Sequence, residues 1–356
     1  MTEIWFGQAC GLPSQEHRQL AMARQRQLTK PEGALGRLEA LAIELAALQG
    51  VERPQAGRVP VVVFAGDHGV TAQGVSAYPA EVTVQMLHNF AAGGAAIAVL
   101  ARELGLPLHV WDVGSRATAP IAGVVTDKTR HGTDDFSTGP AMSEAELDAA
   151  FVAGRRAVEA ACAEGADLLV LGEMGIGNTT AASALAAVLG PLPLEDLVGA
   201  GTGLDAVRMV QKKNLIGRAL ALHGEHIAAA ASPGWEALRR VGGLEIAAMS
   251  AAMIAAAQRR VPVLVDGFIV SAAALAAVRI NPGLRPWLLF SHQSAERGHI
   301  CLLETLQAQP LLALDLRLGE GSGAALALPL VRLACAIHNN MATFAEAAVA
   351  DRDGSA

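Results

Sequence analysis

The segment 167–185, DLLVLGEMGIGNTTAASAL, constrains the fold more than any other part of the chain. Residues 168–171 form a continuous apolar run, which predicts a short strand buried on both faces. Residues 172–180 form a loop with three glycines, and the small residues after it predict a helix capped by Asn178 or Thr179. A strand, a glycine loop and a helix in this order can bind an anion, because backbone N–H groups and the helix N-terminus attract negative charge.

This glycine loop does not match the known phosphate-binding signatures. A P-loop requires lysine after its last glycine, and here Gly177 is followed by Asn178. The dinucleotide pattern G-x-G-x-x-G starting at Gly175 fails because its sixth position is Thr180. The alternative is an ordinary turn between strand and helix, but the loop carries a glutamate and paired threonines. We therefore favour a phosphate site and leave its ligand open.

Composition limits the classes of protein that the chain can belong to. A length of 356 residues suits one large α/β domain with a smaller lobe, and 52% hydrophobic residues exclude disorder. A net charge of −7 argues against nucleic acid and against a basic membrane surface. The four cysteines are widely spaced, and the N-terminus lacks a signal pattern, so we predict a cytoplasmic protein. The uncharged window 174–194 is broken by glycines and prolines, so we reject a membrane span there.

Short apolar runs alternate with helical patterns, which predicts a mostly parallel sheet flanked by helices. The six predicted strands are 59–64, 108–111, 168–171, 262–265, 287–290 and 311–316. Helices are predicted at 14–28, 35–48, 81–104, 143–163, 181–189, 205–222, 243–257 and 324–337. The first two precede every strand, so we expect them to form a separate helical lobe or to pack on a partner subunit.

Polar motifs follow the predicted strands. They are Gly66-Asp67-His68, Asp112, Glu173, Asp266, Ser291-His292 and Glu320. In open α/β sheets, ligands bind at the carboxyl ends of the strands. We therefore expect these six motifs to converge on one crevice.

Two carboxylates in this set suit acid–base chemistry. Glu320 lies between glycines, and partial burial would raise its pKa toward that of a general base. Its alternatives are a solvated loop acid or a helix-capping acid. Glu173 is a second carboxylate of the same kind. Lys212 or Lys213, in the predicted helix 205–222, could reach a phosphate, although paired lysines on a helix are often only solvated.

The remaining candidates carry weaker signals. Ser291 and Ser294 could donate to a phosphate or could only stabilise their loop. Tyr78, with Gln85, could line a pocket for a flat ring, but core packing is the preferred interpretation of Tyr78 on its own. Asp67 and His68 could ligate a metal together with His292 and His299, yet the sequence has no H-x-x-x-H or H-x-H pair.

Nine motifs together resemble one family. They are LTKPEGALGRLE (28–39), FAGDHGV (64–70), VSAYPAEVTVQM (75–86), GTDDFSTGPAM (132–142), GEMGIGNTTAASAL (172–185), GAGTGLD (199–205), DGFIVSAAAL (266–275), SHQSAERGH (291–299) and LDLRLGEGSGAALALPL (314–330). They cover nearly the whole chain. On these motifs it resembles the nicotinate-nucleotide–dimethylbenzimidazole phosphoribosyltransferases of cobalamin biosynthesis.

The resemblance implies a reaction and an architecture. The 5-phosphoribosyl group of nicotinate mononucleotide passes to 5,6-dimethylbenzimidazole or a related base, giving α-ribazole 5′-phosphate and nicotinate. The implied protein is a homodimer without a cofactor. Its Rossmann-like catalytic domain would span 56–330, and the small lobe would combine 1–55 with helices of 331–356.

The resemblance also implies roles for individual residues. Glu320 is the general base, with Glu173 as a supporting catalytic carboxylate. The residues implied to bind the substrates are Gly175, Ile176, Gly177, Asn178, Thr179, Gly201, Thr202, Gly203, Lys212, Asp266, Gly267, Ser291, Ser294, Tyr78, Gln85 and Leu318. Spacing favours Lys212 over Lys213 without excluding the latter.

The chemistry agrees with these roles. The ring nitrogen of a nicotinate nucleotide is quaternary, so it leaves without a proton or a metal. Attack on C1′ from the opposite face inverts the anomer, and Glu320 takes the proton from the other nitrogen of the acceptor. Two alternative functions remain open from the sequence alone. One is a metal-dependent phosphohydrolase using Asp67, His68, Asp266 and His292, and the other is a non-catalytic nucleotide-binding module.

Overall fold

A six-stranded parallel sheet forms the centre of the structure, a computed structural model that describes residues 5–190, 192–199 and 205–350. The strand order is β3-β2-β1-β4-β5-β6, and every pairing is parallel. The strands are β1 (Val61–Gly66), β2 (Leu108–Gly114), β3 (Val125–Thr126), β4 (Leu169–Met174), β5 (Val263–Val265) and β6 (Leu288–Phe290). This order is that of the Rossmann fold, as the sequence predicted.

Helices cover both faces of the sheet. In the described residues they are α1 (Gln15–Gln27), α2 (Arg37–Gln49), α3 (Glu81–Ala91), α4 (Ala96–Leu104), α5 (Glu144–Ala161), α6 (Asn178–Leu189), α7 (Leu194–Leu197), α8 (Ala206–Ala228), α9 (Pro233–Val241), α10 (Leu244–Gln258), α11 (Phe268–Ile280), α12 (Arg297–Thr305), α13 (Ser322–Asn340) and α14 (Phe344–Ala347).

Alternation along the central strands divides the core into two layers. Val62 and Phe64 of β1 pack with α5, α6, α10 and α11, whereas Val61 and Val63 pack with α2, α4 and α13. Burial of both faces explains why β1 and the first three residues of β4 are apolar. Small residues bring α5 and α10 close together, because a Cβ on Gly154 would lie 2.1 Å from the Ala248 carbonyl oxygen.

One predicted strand is wrong. Of 311–316, only Leu312–Ala313 (β8) is extended, and it pairs with β7 (His292–Gln293) in a separate two-stranded sheet. The segment lies at the surface, and Asp315 has a left-handed backbone (φ 53°) that ends it. The sixth strand of the main sheet is β3, which has two exposed residues and therefore no apolar run to reveal it.

Three predicted features near the glycine loop also change. The helix predicted at 81–104 is broken into α3 and α4, because Gly93 adopts φ 78°. β4 extends to Met174 and α6 starts at Asn178, so the connection is only 175–177. The N-cap of α6 is Gly177 (φ 96°), and neither predicted capping residue caps it.

Other helix ends follow their sequence signals. Ser143 and Glu146 form a capping box at the start of α5, where the sequence predicts a helix from residue 143. The side chain of Asp205 accepts from the Arg208 N–H and caps α8. Helices α9, α11 and α12 were not predicted. In α11, the buried stretch 270–277 is apolar on all sides, so it has no helical periodicity to detect.

The two ends of the chain pack together. α1 and α2 pack on each other, and α2 packs on α13. Arg24 donates from Nε to the His338 carbonyl (2.7 Å) and from Nη2 to the Asn339 carbonyl (3.0 Å). Leu28 forms an antiparallel bridge with Thr343. The predicted boundary after residue 330 falls inside the continuous helix α13.

One segment, Glu81–Leu104, is long and apolar enough by composition to cross a membrane. Its 24 residues are divided between α3, with 11 residues, and α4, with nine. A membrane-spanning helix needs about 20 consecutive residues. Neither helix reaches that length.

Candidate active site at the carboxyl edge of the sheet

The candidate site lies where the strand order reverses. From β1 the chain moves to β2 and β3 on one side, and from β4 it moves to β5 and β6 on the other. β1 and β4 are neighbours and end together, since Ala65 is in register with Met174. Such a switch point opens a crevice beyond the strand ends, and it is the usual ligand position in this fold.

A cavity of about 360 Å³ occupies this position. The predicted site residues that line it are Tyr78, Glu173, Gly175, Ile176, Asn178, Thr179, Asp266, Gly267, Ser294, Leu318 and Glu320. Other lining residues were not predicted to bind substrate: Val82, Met86, Met174, Phe268, Ile269, Val270, His292, Glu296, Leu316, Arg317, Gly319 and Ser322. The geometry therefore joins the glycine loop, the segment after β5 and the segment before α13 around one space.

Convergence is incomplete, because two predicted strand-end motifs lie outside the cavity lining. Asp112 is inside β2 and forms a buried ion pair with Lys128 (Nζ–Oδ2 2.6 Å). His68 is fully buried and bonds to Glu245 (Nε2–Oε1 2.6 Å), while the Asp67 carboxylate accepts from the Arg116 N–H. Both motifs tie loops together at the strand ends.

The glycines of the loop after β4 have a packing role as well as access to the cavity. A Cβ on Gly175 would lie 2.4 Å from the Gly66 carbonyl oxygen, so only glycine lets the end of β4 pack on the end of β1. The Ile176 N–H donates to the Thr83 hydroxyl at 3.1 Å. Gly177 caps α6 but does not line the cavity.

A second glycine motif packs directly on β4. A Cβ on Gly172 would lie 2.1 Å from the Glu320 carbonyl oxygen, and one on Gly319 would lie 2.2 Å from Glu173 Oε1. The segment 319–321 has positive φ at three successive residues, 92°, 64° and 86°. The two glycine motifs of the sequence thus form one contact, which brings Glu173 and Glu320 to the same wall.

Three carboxyl groups share this wall. Burial, with the charges of Glu245 and Asp266, raises the pKa of Glu173 to about 8, and the Asn178 amide donates to this carboxyl. Burial also raises the pKa of Asp266, although His292 and backbone donors, including the Ala324 N–H at 2.8 Å, oppose the shift. The environments therefore keep Glu173 mainly protonated at neutral pH.

Glu320 is both a cavity residue and a helix-capping residue. Burial raises its pKa, and the N–H groups of Ile97 and Ala96 at the start of α4 oppose this shift. Its Oε2 accepts from the Ile97 N–H at 3.1 Å. The helix-capping interpretation is therefore confirmed, whereas the role of Glu320 as a general base stays a prediction.

The two lysines occupy different environments. Lys212 is 1% exposed, and its Nζ donates to the Thr179 hydroxyl at 2.8 Å, directly behind the cavity wall. Burial lowers its pKa to about 8. Lys213 is partly exposed and pairs with Glu195. Only Lys212 is thus placed to add positive charge at the glycine loop.

The loop after β6 is held by histidines. Ser294 lines the cavity, and its N–H donates to His299 Nδ1 at 2.9 Å. Burial lowers the pKa of His299 to about 3, so its ring is neutral and can accept this hydrogen bond. Ser291 is buried, bonds to His292 Nδ1 (3.0 Å) and does not line the cavity.

The predicted ring pocket is partly in place. Tyr78 is 53% exposed at the cavity, so core packing is the wrong interpretation of it. Gln85 is exposed on α3 outside the lining, and Val82 and Met86 face the cavity instead. Their spacing of four residues is the helical signal that would have identified this apolar face. The predicted residues Gly201, Thr202 and Gly203 lie outside the described residues.

The metal-dependent alternative finds no support. Within 5–190, 192–199 and 205–350, no group of three or more histidine, cysteine, aspartate or glutamate side chains could hold a metal ion. His68 is engaged by Glu245, and Asp266 is paired with His292 at 3.8 Å. The four residues of that alternative therefore do not form one ligand set.

Fold and site together define a Rossmann-like α/β enzyme with a carboxyl-rich cavity at its switch point. Comparisons with known proteins narrow this class. A family model described as a phosphoribosyltransferase, DBI_PRT, matches residues 10–349. The chain belongs to the nicotinate-nucleotide–dimethylbenzimidazole phosphoribosyltransferase family, whose members are pentosyltransferases.

Individual relatives match over their full length. The protein of that name from Bradyrhizobium sp. (strain ORS 278) is 62% identical over 353 residues, which is 99% of this chain and 100% of the relative. The one from Pseudomonas putida (strain KT2440) is 57% identical, with 99% of each chain covered. A crystal structure of the enzyme from Thermus thermophilus superposes with a TM-score of 0.89 at 46% identity, covering 95% of this chain and 99% of that one.

Proposed function

We propose that this chain transfers the 5-phosphoribosyl group of nicotinate mononucleotide to 5,6-dimethylbenzimidazole or a related base, as a step of cobalamin biosynthesis. The products are α-ribazole 5′-phosphate and nicotinate. The observation that carries the proposal is the single cavity in which the start of α6 faces Glu320. An anion site and a base at the same wall suit a phosphorylated donor and an acceptor that must lose a proton.

The donor would lie on the β4–α6 side. Its phosphate would use the connection 175–177 and the start of α6, with Lys212 adding charge through Thr179. A bound phosphate would favour the protonated amine of Lys212 and so counteract the lowering of its pKa by burial. Ser294, which lines the cavity, completes this proposed subsite.

The acceptor would lie against Tyr78, Val82 and Met86, whose side chains suit a flat apolar ring. Its free nitrogen attacks C1′ as the bond to the nicotinate nitrogen breaks, and the configuration inverts. The proton on its other nitrogen passes to Glu320. Glu173, which is mainly protonated at neutral pH, would donate a hydrogen bond to the substrate.

Orientation supplies much of the rate in this scheme. The leaving nitrogen carries positive charge in the donor, so its departure needs no proton. The protein has to hold two rings and one ribose in line, which can contribute several kcal/mol. A single general base adds a further factor of about 10²–10⁴.

The direct test incubates the protein with nicotinate mononucleotide and dimethylbenzimidazole in the presence of EDTA. We expect α-ribazole 5′-phosphate by mass, with the α configuration by NMR. Reactions without the acceptor serve as controls. Loss of the product on chelation, or a β product, would contradict the proposed mechanism.

The matched variant for the base is Glu320→Gln, which keeps the size of the side chain and an oxygen for the Ile97 N–H. We expect it to bind nicotinate mononucleotide with wild-type affinity by calorimetry and to lose about 10²–10⁴-fold in the transfer rate. A near-wild-type rate would remove Glu320 as the base and point to Glu173 or water.

We further infer a cytoplasmic homodimer. Leu326 and Leu333 are exposed at a spacing of seven residues on α13, which places them on one face of that helix. An exposed apolar face of this kind suits contact with a second subunit. Light scattering after size-exclusion chromatography should give twice the mass of 36.6 kDa, and a stable monomer would contradict the inference.

A further inference from the structure

Helix α4 begins without a capping side chain of its own. Its N-cap is Ala95, with φ −72° and ψ 156°, and its first turn has no acidic residue. The first N–H groups of a helix have no partner inside the helix. Serine, threonine, aspartate or asparagine normally satisfies them at the N-cap position.

Glu320 supplies the missing acceptor from a distant part of the chain. Its Oε2 accepts from the Ile97 N–H at 3.1 Å, and the Ala96 N–H also donates to the carboxylate. The backbone of Glu320 has φ 64°, which is costly for a residue with a side chain. Its neighbours on both sides are glycines with positive φ, so the whole segment is shaped to direct this side chain.

Because Glu320 also lines the cavity, the contact has a consequence for the reaction. We propose that the start of α4, residues Ala96 and Ile97, positions the carboxylate of Glu320 for proton transfer and stabilises its ionised form. The proposal rests on the proposed function, in which Glu320 is the base. The two N–H groups hold the carboxylate from one side, so the group enters the reaction in a fixed orientation.

The charged groups around Glu320 explain why its ionised form needs stabilisation. The carboxyl group of Asp266, at the end of β5, raises the pKa of Glu320, and the charge of Glu320 in turn raises the pKa of Glu173 on β4. His292 and Arg317 line the same cavity. A helix N-terminus attracts negative charge, so α4 opposes the effect of Asp266 on Glu320.

One substitution removes a donor and leaves the helix intact. In Ala96→Pro the first helical residue loses its N–H, and proline is favoured at this position. The residue before proline must be extended, and Ala95 already is. We expect the acidic limb of the kcat/KM profile to move up by about half a pH unit, because the ionised base loses a donor.

A second substitution separates structure from catalysis. In Ala95→Ser the new hydroxyl can accept from the first-turn N–H groups and so compete with Glu320. A better cap should keep or raise the melting temperature, while kcat falls several-fold and the acidic limb moves up. A purely structural contact would instead leave kcat and the profile unchanged.

The matched control is Gln15→Pro, which places proline at the first residue of α1 after the extended residue Ser14. Gln15 lies outside the cavity lining, and we expect a wild-type pH profile. Upward shifts in both α4 variants but not in the control support the proposal. Wild-type profiles in both α4 variants overturn it while the proposed function stands. Absence of transfer by the wild-type protein overturns the proposed function and this proposal together.

Discussion

At the residue scale, the buried carboxyl group of Glu173 makes the stability of the protein depend on pH. It is 4% exposed, and its pKa is raised to about 8 by burial and by neighbouring acids. An unfolded glutamate ionises near pH 4.5. Between these values the folded protein holds a proton that the unfolded chain has lost. The contribution of Glu173 to stability therefore falls as the pH rises through this window.

The Glu173→Gln variant tests this pH dependence of the free energy of unfolding, because glutamine does not titrate. From pH 5 to pH 8 the variant should gain stability relative to wild type by up to about 1.4 kcal/mol per pH unit. Urea unfolding at pH 5, 6, 7 and 8 measures the difference. The exposed residue Glu103 provides the control Glu103→Gln, whose difference should stay constant. A constant difference for Glu173→Gln as well would show that its pKa is not raised.

Residue types could be predicted from the sequence better than their partners. The sequence identified Glu320 as important because a carboxylate between glycines is unusual. It could not show that the partner is the Ile97 N–H, because a backbone donor has no residue type to detect. Gln85 was selected and Val82 and Met86 were missed for a related reason. A polar residue in a motif suggests substrate binding. An apolar residue such as Val82 or Met86 is expected in the core, and only the fold shows that it lines a cavity.

At the scale of elements, the contact between β4 and the segment before α13 holds the site together. Gly172 touches the backbone of Glu320, and Gly319 lies over the side chain of Glu173. Both glycine motifs are visible in the sequence as sites of close approach. Their mutual contact is not, because it depends on the strand order that brings the start of α13 to the end of β4.

The element-scale prediction is Gly172→Ala. Its Cβ would lie 2.1 Å from the Glu320 carbonyl oxygen, and neither partner is a flexible side-chain end. We expect a loss of about 1–3 kcal/mol in the free energy of unfolding and a large fall in the transfer rate of the folded variant. Chemical unfolding and steady-state kinetics measure the two effects.

Gly139→Ala is the control, since a Cβ there meets nothing within 4 Å and its backbone is not left-handed. Its stability should stay within about 0.5 kcal/mol of wild type, and its rate should be unchanged. Wild-type behaviour of Gly172→Ala would mean that the two glycine motifs do not touch in solution.

At the scale of the whole molecule, the chain closes on itself. Arg24 is buried and satisfies carbonyl groups at the end of α13, so the first and last long helices among the described residues support each other. The sequence predicted a helical lobe because two helices precede every strand. It could also predict the parallel sheet from its buried runs. It could not give β3, whose two exposed residues carry no pattern, or the surface position of 311–316.

The whole-molecule prediction compares two arginines of α1. Arg24→Ala leaves the carbonyl groups of His338 and Asn339 without their buried donor, and we expect a loss of about 2–3 kcal/mol in stability. Arg26→Ala removes an exposed pair with Glu32 at 3.8 Å and should cost at most about 0.5 kcal/mol. Urea unfolding measures both. Equal losses would show that the contact between the chain ends does not support the fold.

The contact between Glu320 and α4 can form only late in the synthesis of the chain. The two partners are 223 residues apart in the chain. A ribosome adds about 5–20 residues per second, so α4 is made about 10–45 s before the carboxylate that completes its first turn. The glycine loop after β4 can form during this interval. The proposed base is therefore made after the glycine loop, and catalysis becomes possible only near the end of translation.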